Sequence, residues 1–368
     1  MPTTHPLTPR VLIVSSFVLP HAGGVEQFVE RASELLSAHG ARVRLLACAR
    51  DDARADAYVP ALFLGKSEWP LLIGGLRTLW SEIGESDVVL LNSHRHPLTV
   101  AGALLARLRR RRCLLVVHTS DAGAVGPLAY RLIARSFDWT LTRLAFALAT
   151  VVTFSPAAAE LARALRAKPL LLPFPLPDMP SPRQINSGQG GVSQIVWVGR
   201  LSEEKDPLIS IDAVEQLRTE LPAELHIYGD GPLREELAGR AETRTWLHLH
   251  GTCPRTQVIA AQRKADVCLG SSRTESAHLA VLEALIQGVP CAATAVGDVP
   301  TYFAEKLARF CVPARDSSAL AAALRELLSG DYGHEFLENA ERLRLVVTDD
   351  GQSLCDLVLD SRRQGGSG

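Results

Sequence analysis

No Cys-x-x-Cys pair occurs in the 368 residues, although seven cysteines do, at 48, 113, 253, 268, 291, 311 and 355. An odd number at such scattered spacing fits neither a disulfide framework nor a zinc site. The thiols read instead as small apolar residues in strands, and a reducing cytoplasm is the expected compartment. Asp-x-Asp is absent too, so no metal-bridged diphosphate is expected. No Gly-x-Gly-x-x-Gly follows a first strand, which disfavours a dinucleotide dehydrogenase. Net charge is only −1, so there is no global basic field for nucleic acid and no acidic disordered tail. Long apolar runs are missing as well. The longest uncharged one, residues 144–159, is broken by Thr150, Thr153 and Pro156 and is too short to span a bilayer. The first ten residues are polar and show no signal-peptide pattern. Lysine is scarce, 5 against 34 arginines, a bias of GC-rich genomes that points to a bacterial origin.

What is present is enough for a large core: 47% of the residues are apolar. Two domains of about 150–200 residues fit this length. Val11–Ser15 reads as a buried strand. A loop ending in Gly23-Gly24 follows, then a helix whose apolar residues recur at Val25, Phe28, Val29, Ala32, Leu35 and Leu36. Further strands are expected at Val43–Ala47, Val88–Leu91, Leu114–Val117, Val151–Phe154 and Leu170–Leu172. Apolar strands alternating with helices imply a parallel sheet covered on both faces. Residues 176–193, rich in Pro, Gly and Ser, read as a linker. A second series starts at Ile195–Val198 and continues at Leu225–Tyr228, Leu247–Leu249, Val267–Leu269, Cys291–Thr294 and Phe310–Val312. Its helices fit at 207–220, 232–240, 255–264, 277–287 and 317–329. The expected division is therefore an N-terminal domain, 1–175, a second domain, 194–345, and a C-terminal segment, 346–368, helical and then flexible, which can pack back on the first domain. Two doubly wound α/β domains would form a cleft, with ligands at the strand C-terminal ends.

The chain is organised around residues 271–300. Glu275 lies on the loop entering a helix and Glu283 on its second turn, and Gly288-Val289-Pro290 stops that helix. Between the two acids is a helix N-terminus, whose free N–H groups suit an anion. Taken alone, the acids could equally be a dipole cap and a solvated helix residue. Arg200 and Lys205, on the loop after the first strand of the second half, could be two solvated loop cations. Beside that helix N-terminus, a planar fork and a point charge for phosphate are the favoured reading. His118 ends a first-domain strand, where ligands sit. Asn92–Pro97 ends another and is a candidate acceptor wall, whose polar groups suit a hydroxyl- or amine-bearing small molecule. Arg107–Arg112, with Arg131, Arg135 and Arg143, could touch an anionic membrane. A helix C-terminus and one solvated helix face account for them more simply.

GRLSEEKDP (Gly199–Pro207), YGDGP (Tyr228–Pro232), HGTCPRTQV (His250–Val258) and the stretch running from Ala265 to Pro300 resemble the second domain of glycosyltransferase family 4. These are retaining enzymes of the GT-B fold, with two Rossmann-like doubly wound parallel-sheet domains facing a cleft. The likeness extends to the first domain through Gly23–Glu26 and His118. The family's E-x7-E motif falls on Glu275 and Glu283. The resemblance implies that Arg200 and Lys205 hold the diphosphate of a nucleotide-sugar. It gives Glu283 the ribose hydroxyls and Glu275 the donor sugar. The amides around His278 and Leu279 would cradle phosphate, and Gly23 and Gly24 would approach it from the first domain. The base would lie near Tyr228–Gly231 and Gly251–Val258, the latter including Arg255. His118 would hydrogen-bond the donor sugar. No cofactor or metal is implied beyond the donor, and UDP is the nucleotide expected from family frequency.

Three departures bear on donor identity. His278 stands where the family usually has glycine, Phe174-Pro175-Leu176 replaces Asn-Gly-Val, and Asp298 replaces the second glycine of Gly-Gly-Val-Pro. The activity implied is metal-independent, retaining transfer of a sugar to a small polar acceptor, in natural-product or thiol-sugar biosynthesis. The alternatives are a membrane-associated glycolipid or polysaccharide transferase, an epimerase or phosphorylase on the same fold, and a non-catalytic nucleotide-sugar-binding partner.

Overall fold

The computed structural model of the full-length chain describes residues 8–16, 18, 24–48, 55–63, 70–118, 132, 135–176, 179–182, 191–346 and 348–360. Gly23, Arg131 and residues 119–121 lie outside that set. The chain divides into two compact units, Met1–Pro177 with Asp349–Gly368, and Asp178–Thr348.

The first unit is built on a parallel sheet of seven strands: β1 (Arg10–Ser15), β2 (Arg42–Cys48), β3 (Ala57–Val59), β4 (Val88–Asn92), β5 (Arg112–Val117), β6 (Thr150–Thr153) and β7 (Leu170–Leu171). Their order across the sheet is β3-β2-β1-β4-β5-β6-β7. Because successive side chains point to opposite faces, Leu12, Val14, Leu91 and Leu115 enter one core. Val11, Ile13, Leu90 and Leu114 enter the other. Helix α1 (Gly24–Ala38) covers the second core with Phe28, Val29, Ala32, Leu35 and Leu36, a stripe at helical spacing. Helices α2 (Leu76–Glu85), α3 (Pro97–Leu108), α4 (Arg143–Leu148) and α5 (Pro156–Ala164) follow. Ser155 caps α5 by accepting from the Ala158 amide at 3.2 Å, with Pro156 in the first turn.

The second unit carries six parallel strands: β8 (Ser193–Val198), β9 (Ala223–Tyr228), β10 (Leu247–Gly251), β11 (Val267–Gly270), β12 (Cys291–Thr294) and β13 (Cys311–Val312). Their order is β10-β9-β8-β11-β12-β13, which reverses direction between β8 and β11. Helices α6 (Pro207–Leu217), α7 (Arg234–Ala241), α8 (Arg255–Lys264), α9 (Leu279–Ile286), α10 (Ser317–Ser329) and α11 (Gly333–Val346) complete it. One strand keeps a polar face. In β9, Ala223, Leu225 and Ile227 are buried, while Glu224, His226 and Tyr228 are half-exposed.

Differences from the sequence reading are local. Ser193 belongs to β8 rather than to a linker, and α9 starts at Leu279, two residues later than expected. Two short antiparallel strands, Ala61–Phe63 and Pro70–Leu72, and the edge strand β3 were not expected. The C-terminal part of the chain carries two helices, α11 and α12 (Gln352–Leu359), parted by a turn at Gly351. Helix α12 belongs to the first unit, where Leu354, Cys355, Leu357 and Val358 join the core against α1. Arg112 donates to the carbonyls of Leu357, Val358 and Asp360 and so closes the C-terminal end of α12.

Candidate active site

The second unit's site is assembled from two loops stapled together. Ser271, buried just after β11, accepts from the Trp197 indole at 2.9 Å. Its hydroxyl also faces the carbonyls of Lys205 and Asp206, at 3.0 and 2.9 Å. Arg273 bonds Asp206 at 2.6 Å and takes the Glu204 carbonyl through its amide at 2.7 Å. The loop after β8 is thereby fixed against the loop after β11. This brings Lys205 and Glu275 into direct contact across seventy positions of sequence. The Ser272 hydroxyl donates to the same Glu275 oxygen at 2.9 Å.

Glycines allow this closeness. A Cβ on Gly297, whose φ is +54°, would sit 2.3 Å from the Glu275 carbonyl oxygen. A Cβ on Gly229 would fall 1.8 Å from the Gly199 carbonyl oxygen, and one on Gly231 2.6 Å from that of Leu201. The YGDGP turn thus lies directly on the Arg200 loop.

Burial alone would push the Glu275 carboxyl up. The Lys205 charge, the electrostatic influence of His278 and the hydrogen bonds from Lys205 and Ser272 outweigh it, and the net shift is downward. For Glu283 the balance tips the other way: burial exceeds the pull of Arg255, which donates to its Oε1 at 2.7 Å, and the carboxyl is raised. Glu283 is only 9% exposed, so it is not the solvated helix residue that one reading allowed.

His278 is the N-cap of α9 but makes no side-chain cap. Its ring is buried, and among the described residues neither ring nitrogen has a hydrogen-bond partner; the neighbouring Ser276 hydroxyl also has none there. Burial drives the imidazole down to about 4, so it is neutral near pH 7. A buried polar group without a partner costs about 1–3 kcal/mol. Gly270 provides the room: a Cβ there would lie 3.0 Å from His278 Nε2. At the far end of α9, Gly288 (φ 74°) donates to Leu285 and Val289 to Ala284, the double closure of a glycine C-cap. Asp298 is buried in an ordinary right-handed conformation (φ −83°), so its position does not require glycine.

In the first unit, the ends of the adjacent strands β1, β4 and β5 form a polar chain. His118 Nε2 lies 2.6 Å from Asn92 Oδ1, and Asn92 donates to Ser15 at 3.0 Å and to the Val25 carbonyl at 3.4 Å. Phe28 packs edge-on against the imidazole at 5.0 Å. Burial lowers His118 to about 4. Gly24 is the first residue of α1 and is exposed. Arg95 and buried His94 turn to Asp138 within the unit, with Arg95 Nε at 3.2 Å and His94 Nε2 at 3.8 Å. Arg95 of the expected acceptor wall is therefore already engaged, whereas neither ring nitrogen of His94 has a hydrogen-bond partner among the described residues, and burial holds that imidazole neutral. The arginine run is also absorbed locally: Arg109 lies over the Trp80 ring at 3.9 Å, and Arg112 closes α12.

Residues 22–170 match the family model described as Glycosyltransferase Family 4, and residues 192–330 match that of Glycosyl transferases group 1. The chain belongs to the family-4 glycosyltransferases. Glycogen synthase of Mycobacterium tuberculosis (strain H37Rv) is 29% identical over 169 residues, 45% of this chain and 41% of that protein. The chain thus spans under half the length of that curated relative. The 2-deoxystreptamine N-acetyl-D-glucosaminyltransferase of Streptomyces fradiae is 27% identical over 67% of this chain and 68% of its own. Among solved structures, HepE of Anabaena, in complex with UDP and glucose, superposes with a TM-score of 0.72 at 14% identity. That match covers 96% of this chain and 99% of HepE. The fold of this family-4 chain is accordingly GT-B.

Within that fold, the structure brings together Lys205, Glu275, His278 and Leu279. It pairs Arg255 with Glu283 on the neighbouring helices α8 and α9. Arg200 and Gly231 lie on the two loops that touch through Leu201. Sequence reasoning missed the Ser271 hub, the Arg273–Asp206 staple and Gly297. Only Gly297 carried a local signal, as a glycine in a turn just before a Val-Pro helix start.

Proposed function

We propose that this protein is a retaining glycosyltransferase that moves a sugar from a nucleoside-diphosphate sugar, UDP in first place, to a small polar acceptor, with no metal in the catalytic step. The observation that carries this reading is the N-terminal end of α9. There a cation–carboxylate pair, Lys205–Glu275, stands beside two buried polar side chains, Ser276 and His278, that have no hydrogen-bond partner among the described residues. A donor with a diphosphate and a hydroxyl-rich sugar supplies what those groups want.

The chemistry follows from donor counts. Lys205 has three N–H donors, so it can keep Glu275 and still reach a phosphate oxygen. The α9 amides add a fixed positive dipole, and Arg200 on the same loop adds a fork. Glu283 keeps acceptor capacity beyond its bond to Arg255, suited to a ribose diol. Glu275, held ionised, accepts from sugar hydroxyls. The bond between the anomeric carbon and the phosphate oxygen breaks with both electrons going to the diphosphate. The acceptor oxygen or nitrogen then bonds to the anomeric carbon on the face just vacated, and its proton passes to the departing phosphate oxygen. Charge grows on the leaving group, where the preorganised cations stabilise it. His118, neutral and tied to Asn92, serves as a hydrogen-bonding group toward the sugar rather than as a base.

The acceptor class is supported by the Streptomyces relative, whose name pairs 2-deoxystreptamine, a small polyhydroxy amine, with N-acetyl-D-glucosaminyl transfer. The donor class is supported by the structural neighbour that holds UDP. The test is product analysis with UDP-glucose and UDP-N-acetylglucosamine against small aminocyclitol and polyol acceptors. An α-linked product from the α-linked donor, formed equally with chelator present, is expected. A β-linked product would contradict retention. Donor turnover without acceptor would indicate an epimerase, and dependence on phosphate a phosphorylase.

A second reading, transfer to a lipid acceptor, is favoured by one surface: Trp139, Leu141 and Leu144 are exposed beside Arg143, which lies over the Trp139 ring at 5.0 Å. No helix among the described residues is long and apolar enough to cross a membrane. Sedimentation with anionic liposomes, lost on Trp139→Ser, would support that reading.

A further inference from the structure

The polar face of β9 carries chemistry that the donor site does not use. Glu224 and His226, two apart on β9, point the same way, and His226 is paired in register with His248 of β10. His226 Nε2 and His248 Nε2 each lie 3.6 Å from the same oxygen, Oε2 of Glu224. The three ligand atoms all fall within 4.8 Å of one another. Donors set 2.0–2.2 Å from a tetrahedral zinc are about 3.4 Å apart, so these separations suit one shared ion.

Two further features point the same way. His248 Nε2 is buried and has no hydrogen-bond partner, although the ring as a whole is 37% exposed. His226 Nδ1 lies 3.0 Å from His250 Nε2. Gln194 Oε1, 2.7 Å away, accepts from His226 Nε2–H in this structure, so metal binding would move that proton to Nδ1, where His250 Nε2 is placed to accept it. This is the outer hydrogen bond that orients metal-bound imidazoles. Gln194, which accepts from His226 Nε2 at 2.7 Å and donates to Glu224 Oε2 at 3.3 Å, would have to give way to the ion, leaving the fourth position to a water. The rings stack in series, His248 on His226 at 4.6 Å, His226 on His250 at 5.3 Å, and His250 on Tyr228 at 4.2 Å, so His248 has to turn out of the stack for both Nε2 lone pairs to meet one ion.

We propose that Glu224, His226 and His248 bind a divalent transition metal, zinc in first place, as a structural clip between β9 and β10. Two imidazoles and one carboxylate suit zinc or cobalt and are poor for magnesium or calcium, which take oxygen ligands. The clip ties together the two strands that lead into the Tyr228–Gly231 and Gly251–Val258 loops. It is separate from Lys205, Glu275 and α9, and supplies rigidity rather than chemistry.

The test uses chelator-stripped full-length protein titrated with Co²⁺. One Co²⁺ per chain with the strong visible absorption of four-coordinate cobalt is expected, displaced by Zn²⁺, and saturating Zn²⁺ should raise Tm. His226→Asn and His248→Asn should each abolish the band. His250→Phe, which keeps the stack and removes the acceptor, should weaken binding about 10- to 100-fold at unchanged stoichiometry. Should either Asn variant fail to fold, Glu224→Gln reads the same loss at a half-exposed ligand. Absence of the band in the wild type, or a band unchanged in the folded ligand variants, would overturn the proposal.

Discussion

Lys205 and Glu275 hold each other, and each depends on the other. Lys205→Ala leaves a largely buried carboxylate without its cation. The expected cost is up to about 3 kcal/mol of stability, together with loss of donor affinity; a variant as stable as the wild type in urea titration would show the pair to be incidental. Arg200→Ala should lower turnover roughly 10²- to 10³-fold, as losing one preorganised donor does, with little change in Tm. The histidines set the pH dependence. His278 and His118, ordinarily near 6.5, are pushed to about 4 by burial, so the unfolded chain takes up their protons first as pH falls. Their contribution to stability is full above pH 6.5 and is lost as pH drops toward 4. Unfolding free energy should therefore decline through that window, less steeply in His278→Gln. An unchanged slope would place the titration elsewhere. At this scale the sequence was informative where a residue type is demanded by charge: the acids 275 and 283 and the cations 200 and 205 stand out unaided. That His278 would be a buried ring without a partner could not be read, because burial comes from Gly270 and α9 packing and not from neighbours in sequence.

The elements show the same division. Buried parallel strands announce themselves as apolar runs, and twelve of the thirteen sheet strands begin within two residues of the expected start. Edge strand β3 (AYV) was illegible, being three residues long with only Val59 buried. The destination of α12, packing back on the first domain, could be offered only as an option. Its apolar stripe specifies that it be buried, and the complementary surface on α1 lies three hundred positions away. Glycine positions make the sharpest predictions for elements. Gly297→Ala must displace the Glu275–Ser276 backbone, because its Cβ would be 2.5 Å or less from two carbonyl oxygens in a left-handed turn. It should cost about 1–3 kcal/mol and weaken donor binding, whereas Gly239→Ala, open on the surface of α7, should be neutral or stabilising by thermal melt. Equal effects would mean that the Glu275 loop tolerates movement.

For the whole molecule, two parallel sheets of the GT-B kind arise from ordinary patterning, and function is confined to loops at the ends of a few strands. Fold-level likeness at 14% identity carries the architecture; the donor and acceptor are carried by the site. The central claim is that the N-terminal end of α9, with Arg200, Lys205, Glu275 and Glu283, receives a nucleoside-diphosphate sugar. A thermal-shift panel of nucleoside diphosphates and their sugars, run on the wild type and on Arg200→Ala, tests it most directly. At a hundredfold excess over Kd, the correct ligand should stabilise the wild type by about 2.7 kcal/mol and the variant by much less. No shift with any nucleoside diphosphate, or the same shift in both proteins, would contradict the account.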